Sequence, residues 1–526
     1  MRKLLPLVTL NLRALLSAFK LSGGKKAKAT GYGAVIFLAV LSVYIAGVYS
    51  FAFGSQLAAV GMLRYLIPMM AVIGCLLSVV MTVQAAVGFI FSGKDSDLML
   101  SLPVSAFSVM LSRITALYIE HLIFVGLFMI TSGVAAVVYG QGGVLFMVGL
   151  IICTLLLTLI CTLLSTVIAF VVAFVTARFP HKAVIGTILY FAMFLLIMVG
   201  AFRVNSIGAM LLTNRSAFDK VLFGWLLPFG LTMEAAEGNL LSLLLLAVIS
   251  VIPFLLIVWL FSSRYKKILS ALSSHLVRSD YRLGQLQARS QLSALFRKEV
   301  RRYFGTSIYF FNTGFGAVMV LIAAVYAAFM REKAAPYIDL MGGMETVVPL
   351  GVLALGFFVA TINTTCVSIS IEGRTLWILK EAPVDVKSLF GSKVMVNLLV
   401  SWPSSIFAVL VLGIAYGADA LTIVTSILVL MAMGLFVALM GLWVNLLLPK
   451  MDAVNDTMVV KQSASAVVGI FGGWVPVLAG WLGGYFLGKF MAFPMYELLF
   501  TCILLVSAAG LWHWLCRSGA KKLLSI

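Results

Sequence analysis

Long apolar runs constrain this chain more than any other feature of its sequence. A helix that crosses roughly 30 Å of hydrocarbon needs about 20 apolar residues. The chain has twelve such runs, at residues 31–54, 66–92, 113–138, 144–176, 184–202, 240–262, 307–330, 346–372, 393–416, 421–448, 463–487 and 496–515. Each run is continuous rather than alternating, which favours helices over a barrel. We therefore predict an all-α polytopic membrane protein with about 12 transmembrane helices.

The composition agrees with a bilayer as the solvent. Hydrophobic residues make up 63% of the chain and charged residues only 10%. A water-soluble globule cannot bury that much apolar surface. The fold class therefore follows from composition as well as from the runs.

The distribution of Lys and Arg predicts the orientation. With the N-terminus inside, 30 of the 37 basic residues fall in segments assigned to the cytoplasm, where such residues accumulate. Both termini are therefore predicted to be cytoplasmic. The net charge of +19 is then explained by topology and by attraction to anionic lipid head groups, so a nucleic-acid partner is not needed.

Two short polar segments between apolar runs share landmarks at an offset of 280 positions. The matched pairs are Gly93 with Gly373, Lys94 with Arg374, Pro103 with Pro383, Val104 with Val384, Ser108 with Ser388, Ser112 with Ser392, and Arg113 with Lys393. In each segment the glycine suits the end of a helix and the proline breaks the loop, which leaves room for about two helical turns between them. Leu98 lies in the first of these stretches. In the second, Leu376, Trp377 and Leu379 offer an apolar contact surface. Such a short helix is suited to a groove on a soluble partner.

Two basic, amphipathic segments precede the first and seventh runs, at residues 4–21 and 292–303. Each is either a helix lying at the inner membrane surface or a basic flank that sets orientation. Their positions extend the internal match. We predict a first half at 1–262, a cytoplasmic linker at 263–290 and a second half at 291–526. The two halves would be pseudo-repeats of an interfacial helix and six spans.

This order resembles the permease subunit of a bacterial ATP-binding cassette exporter of the type-2 class, with two six-helix halves fused in one chain. The loop sequences at 100–105 and 370–374 are similar to those permeases. The resemblance implies that residues 94–105 and 374–385 are coupling helices that dock on two copies of a separate ATPase subunit. That subunit would bind ATP and Mg. The resemblance also implies a bacterial plasma-membrane location and export of an amphipathic, peptide or lipid-like substrate.

Sequence signals for enzymatic activity are weak. There is no Gly-x4-Gly-Lys-Ser/Thr phosphate loop, so the chain is not expected to be the ATPase itself or to hold a cofactor. The four His are scattered and the six Cys lie in or beside apolar runs without ligand spacing, which predicts no metal site.

A possible pathway or gate residue lies in the third run. Glu120 and His121 are polar residues within a predicted span, and a charged residue there raises a functional hypothesis. The alternative is a structural role facing other helices or a wet inner vestibule. Glu497, at the outer edge of the last run, is interpreted as interfacial.

Two other functions stay open. An ATP-independent secondary transporter or flippase also uses duplicated helix bundles, and it would be expected to have unwound spans and midplane charges. A membrane scaffold or sensor that borrows the permease fold is the third possibility. The segment at 203–239 resembles re-entrant half-helices, whereas 469–488 is either partly re-entrant or a closely packed helix.

Overall fold

The computed structural model describes residues 4–17, 25–91, 101, 103–179, 182–213, 215–273, 290–340, 344–453, 456–461, 463–488 and 490–526. Residue contacts divide the chain into two compact units. The first comprises Met1–Ser17 and Val35–Ser279, and the second Ala18–Ala34 and Asp280–Ile526. The predicted half-and-linker boundaries and the internal repeat stay predictions.

Helices dominate the described residues, and eleven of them are long and apolar enough to cross a membrane. Eleven of the twelve predicted runs correspond to these helices. The fifth run, 184–202, lies within the helix Lys182–Thr213, whose described apolar part is shorter, at Lys182–Leu196. The all-helical membrane fold is confirmed.

The first unit is a helical bundle with an apolar core cluster and several buried polar side chains. Its helices, in chain order, are α1 Leu4–Ser17, α2 Lys25–Ala59 (from residue 35 onward), α3 Leu66–Ala86, α4 Ala106–Val138, α5 Val144–Ala177, α6 Lys182–Thr213, α7 Arg215–Leu222, α8 Leu227–Ala236 and α9 Leu240–Ser273. A core cluster that includes Leu7, Met110, Ala169 and Tyr265 joins α1 to α4, α5 and α9. Helix α9 continues to Ser273, so the first part of the predicted linker is helical.

The second unit begins with an amphipathic helix and ends with the C-terminal helices. Its helices are α10 Gln291–Gly305, α11 Ser307–Phe329, α12 Arg331–Leu340, α13 Met344–Thr361, α14 Leu376–Glu381, α15 Val386–Tyr416, α16 Ala420–Leu447, α17 Asp456–Val460, α18 Ala464–Leu487, α19 Phe493–Trp514 and α20 Ala520–Ser525. Asp385 and Asp419 cap α15 and α16, because their side chains accept hydrogen bonds from the backbone N–H groups of Ser388 and Thr422.

The sequence left open whether two segments, 203–239 and 469–488, are re-entrant, and the structure describes helices in both. The segment at 203–239 contains the end of α6 and the short helices α7 and α8. The segment at 469–488 lies almost wholly in the continuous helix α18, so a re-entrant fold there is wrong. A methyl group added to Gly473 would lie 2.9 Å from the carbonyl oxygen of Ala360. Close helix packing therefore explains this glycine.

The eighth predicted run, 346–372, is not one helix. Helix α13 ends at Thr361, and two 3₁₀ turns, Thr365–Val367 and Ser370–Thr375, follow it. Residues 362–370 are nevertheless buried. We call residues 362–375 the unwound segment.

Candidate functional site

The second predicted docking loop contains a short helix with an apolar outer face. In α14, Leu376 is 3% exposed and packs into the core, whereas Trp377 is 62% exposed and Ile378 is 51% exposed. Val384 is half-buried and packs against the same core. Leu379 is half-buried and packs against this core as well, so of the three residues predicted to form the contact surface Trp377 alone faces outward, beside Ile378. Because α14 turns two apolar residues inward and two outward, it is both anchored and able to contact another surface.

A glycine shapes one end of this loop, and a side chain of α10 holds the other. Gly373 has φ of 53°, a positive value that favours glycine, and it kinks the chain before α14, with Arg374 next in the turn. At the other end Gln291 of α10 donates from Nε2 to the carbonyl oxygen of Pro383 at 2.8 Å and accepts from the N–H of Asp385 at 3.2 Å. Helix α10 therefore holds the exit of the loop.

A buried ion cluster lies at the start of the loop, and we call it the anchor cluster. It consists of the carboxylates of Glu299 and Glu372 and the cations of Lys298, Arg302 and Lys393. Lys393 Nζ donates to Glu299 Oε1 at 2.9 Å and to Glu372 Oε1 at 3.2 Å. These three residues are at most 5% exposed. The anchor cluster therefore joins α10, the unwound segment and α15.

The remaining two cations complete the anchor cluster from its partly exposed side. Lys298 Nζ lies 3.0 Å from Glu299 Oε1 and 2.5 Å from Glu372 Oε1, and Arg302 pairs with Glu372 Oε2. Burial acts to lower the pKa of the Arg302 guanidinium, but the Glu372 carboxylate more than offsets burial, so this pKa is raised. Arg302 therefore keeps its charge at any physiological pH.

Three buried asparagines satisfy the backbone of the unwound segment. Asn397 Oδ1 accepts from the N–H of Thr364 at 2.7 Å, and Asn363 Oδ1 accepts from the N–H of Cys366 at 3.1 Å. Asn445 Oδ1 accepts from the N–H groups of Ile369 at 2.8 Å and Ser370 at 3.2 Å. Irregular backbone is tolerated within a membrane only where protein satisfies it, and these amides supply that bonding.

Part of the first predicted docking loop lies outside the described residues, including Gly93, Lys94 and Leu98. Pro103 is exposed and Val104 half-buried. Ser105 caps α4 by accepting from the N–H of Ser108 at 3.2 Å, as Asp385 does for Ser388 in α15. The matched residues Ser108 and Ser388 thus occupy the same position, three residues after the capping residue.

The matched basic residues of the two loops are both buried. Arg113, 2% exposed, donates from Nη1 to Tyr265 Oη at 2.9 Å and to the carbonyl oxygen of Ile90 at 3.4 Å. Lys393 likewise donates to a backbone carbonyl oxygen of the preceding span, that of Ser368, at 2.9 Å. Each cation is thereby tied to the end of the span before its loop.

The two amphipathic segments form helices that pack against the helix after each loop. In the first unit, Asn11 of α1 donates to Ser112 Oγ at 3.0 Å in the buried contact with α4. In the second unit, α10 contacts α15 through Glu299 and Lys393. Both segments are therefore more than basic flanks, although their position at a membrane surface stays a prediction.

The two residues of the predicted gate, Glu120 and His121, differ in their burial. His121 is fully buried, with Ser78 Oγ 2.5 Å from Nδ1 and with Thr82 Oγ1 and Ser165 Oγ 3.0 Å and 2.7 Å from Nε2. Glu120 is half-buried. Among the described residues no group of three or more His, Cys, Asp or Glu could hold a metal ion. His121 is therefore the centre of a hydroxyl cluster that joins α3, α4 and α5.

Sequence reasoning missed the acidic members of the anchor cluster and the burial of Glu497, whose interfacial depth stays a prediction. Glu497 is 2% exposed and receives hydrogen bonds inside the bundle, so it is not a water-facing residue. The sequence did contain one signal: Glu299 and Glu372 are each an acidic residue next to basic residues. Charge patterning alone does not say that such residues meet.

The eleven apolar helices and the buried polar interior define a multi-pass helical membrane protein. The chain matches the family described as membrane proteins of 12 TMs over residues 29–513, and it belongs to that family. No curated protein and no solved structure matches it.

Proposed function

We propose that this chain is the permease subunit of an ATP-binding cassette exporter of the type-2 class, in a bacterial plasma membrane with both termini in the cytoplasm. The observation that carries the proposal is the outward apolar pair of α14, Trp377 and Ile378, on a loop whose base is held by buried charges. An ATPase subunit with an apolar groove would cover this pair.

The anchor cluster supports a coupling role for the loop. A displacement of α14 by a docked subunit would act on Glu372, one residue before Gly373, and through Glu372 on Lys393 of α15. The first loop would act on α4 through Arg113 in the same manner. Binding of ATP and Mg by two ATPase copies would thus move the membrane helices of the two halves and export an amphipathic, peptide or lipid-like substrate.

An ATP-independent secondary transporter is the second candidate. The unwound segment within a membrane span, together with the buried Glu497, favours it, because such transporters bind substrates at discontinuous helices and use intramembrane carboxylates. Against it, the side-chain oxygens of Asn363, Asn397 and Asn445 already accept hydrogen bonds from the backbone N–H groups that a substrate would need.

Co-purification with an ATPase tests the proposal. The tagged chain, solubilised from its native membrane, is expected to recover a subunit that contains a phosphate loop and hydrolyses ATP. Trp377→Glu is expected to lower recovery, because it places a charge on the apolar pair and leaves the first loop as the remaining docking site. Trp225→Glu is the matched control, since Trp225 is 94% exposed in the segment predicted to face outward. Equal recovery with both variants would contradict the proposal.

A further inference from the structure

A carboxyl group lies buried between two membrane helices of the second unit. Glu497 is in the second turn of α19, and its two oxygens contact the hydroxyl groups of Thr425 and Ser426 near the start of α16. The Thr425 Oγ1 to Glu497 Oε2 distance is 2.5 Å, and the Ser426 Oγ to Glu497 Oε1 distance is 2.9 Å. Both helices present their N-terminal turns here, so α16 and α19 run parallel at this contact.

The two hydroxyl groups can satisfy this carboxyl group in either protonation state. Thr425 has one hydroxyl hydrogen and a second acceptor within reach, the carbonyl oxygen of Thr422 at 3.2 Å. If Thr425 donates to Thr422, a proton on Glu497 Oε2 completes the contact with Thr425 Oγ1. If Glu497 is ionised, Thr425 and Ser426 both donate to it. A rotation of one hydroxyl group therefore switches between the two arrangements.

The helices packed against Glu497 supply no cation. Helices α16 and α18 contain no Asp, Glu, Lys, Arg or His. None of the ion pairs among the described residues includes Glu497. The other titratable side chains of α16, α18, α19 and the cap of α16 are Asp419, Tyr485, Tyr496, Cys502 and His513.

Two of these neighbours have their polar groups engaged elsewhere. Tyr496 donates from its hydroxyl group to the carbonyl oxygen of Gly480. Asp419 is exposed and accepts from the N–H of Thr422. Because an ionised carboxylate in hydrocarbon is costly without a partner, a proton is the ligand that neutralises Glu497 most simply.

We propose that Glu497, Thr425 and Ser426 form a proton-binding site between α16 and α19. The site holds a proton while these helices are packed together and releases it when they separate and water reaches the carboxyl group. Proton release is thereby linked to separation of α16 from α19. This site does not depend on the proposed ATPase partner, because the residues that form it belong to one unit of this chain.

Carbodiimide labelling tests the site directly. Dicyclohexylcarbodiimide is an apolar reagent that modifies neutral carboxyl groups, and at about pH 7 exposed Asp and Glu are ionised and unreactive. The purified full chain in detergent is expected to give a stable adduct on the peptide that contains Glu497, located by mass spectrometry. The adduct should vanish in Glu497→Gln and persist in Glu120→Gln, which removes a half-buried carboxyl group from another span.

A second measurement does not require the reagent to reach the carboxyl group. Infrared spectroscopy of the wild type should show the C=O band of a neutral carboxylic acid, and Glu497→Gln should lose it. Glutamine matches the neutral acid in shape and donates to Thr425, so this variant should melt at the wild-type temperature. Absence of both the adduct and the band would overturn the proposal. Protection from labelling by Na⁺, but not by choline at equal ionic strength, would assign the site to a metal cation and overturn it as well.

Discussion

Lys393 Nζ lies 2.9 Å from Glu299 Oε1, and both side chains are buried. This contact joins the amphipathic helix α10 to the membrane helix α15, next to the loop that carries Trp377. A lysine and a glutamate that are 94 positions apart in sequence thus tie two helices of the second unit together.

Replacing Lys393 should destabilise the second unit strongly. Lys393→Met leaves Glu299 and Glu372 with less countercharge in the interior, and breaking a buried pair in this way costs about 3–5 kcal/mol. The loss can be measured as a lower unfolding midpoint in detergent. Lys387→Met, at an exposed position in the same helix, is the control and should change stability by less than about 0.5 kcal/mol. Equal losses would show that the pair is not a structural contact.

Gly373→Ala should be unfavourable because of the backbone rather than a clash. An added methyl group would lie 3.8 Å from the carbonyl oxygen of Met451, an ordinary contact. The strained conformation would cost about 1–3 kcal/mol. Gly351→Ala, within helix α13 and with none of the described atoms within 4 Å of the new methyl group, should be neutral or up to about 1 kcal/mol more stable. A stable Gly373→Ala protein would mean that the turn adopts another conformation.

Asn445→Leu should loosen the unwound segment. It removes the acceptor of the N–H groups of Ile369 and Ser370, and each buried group left unpaired costs about 1–3 kcal/mol. Hydrogen exchange should show faster exchange at these two amides. Leu447→Ala, on the same helix but 40% exposed, should leave their exchange unchanged. Unchanged exchange in Asn445→Leu would show that other groups satisfy the segment.

His121→Leu should destabilise the first unit by about 1–3 kcal/mol, because the hydroxyl groups of Ser78, Thr82 and Ser165 lose their common partner. The loss stays at the low end of this range if Thr82 and Ser165 keep their helix carbonyl partners. Thermal unfolding measures it. Ile123→Ala, two residues along α4 and 63% exposed, provides the comparison and should cost less. A larger loss in Ile123→Ala would argue against the hydroxyl cluster as a stabilising contact.

The apolar runs predicted most of the membrane helices, because length and continuity alone determine whether a helix can cross a bilayer. They did not predict the break after Thr361. Thr364 and Ser370 add polar groups to that run, but their effect depends on Asn397 and Asn445 in other helices. Local sequence does not contain such partners.

Only part of the candidate site was predicted, because its contacts also depend on side chains that are distant in sequence. Matching of the two loops singled out Arg113 and Lys393 as equivalent positions, and both are buried. Their partners differ, because Arg113 donates to the hydroxyl group of Tyr265 and Lys393 donates to the carboxylate of Glu299. Spacing within a loop does not specify which distant side chain will meet it.

Site-specific photo-crosslinking tests the docking role of α14 most directly. Benzoylphenylalanine in place of Trp377, in cells that express the chain from its native locus, should form an adduct that contains the ATPase subunit. The same residue in place of Trp225, which is also highly exposed, should not. An ATPase adduct at 225, or none at 377 while the ATPase is present in the same membranes, would contradict the account.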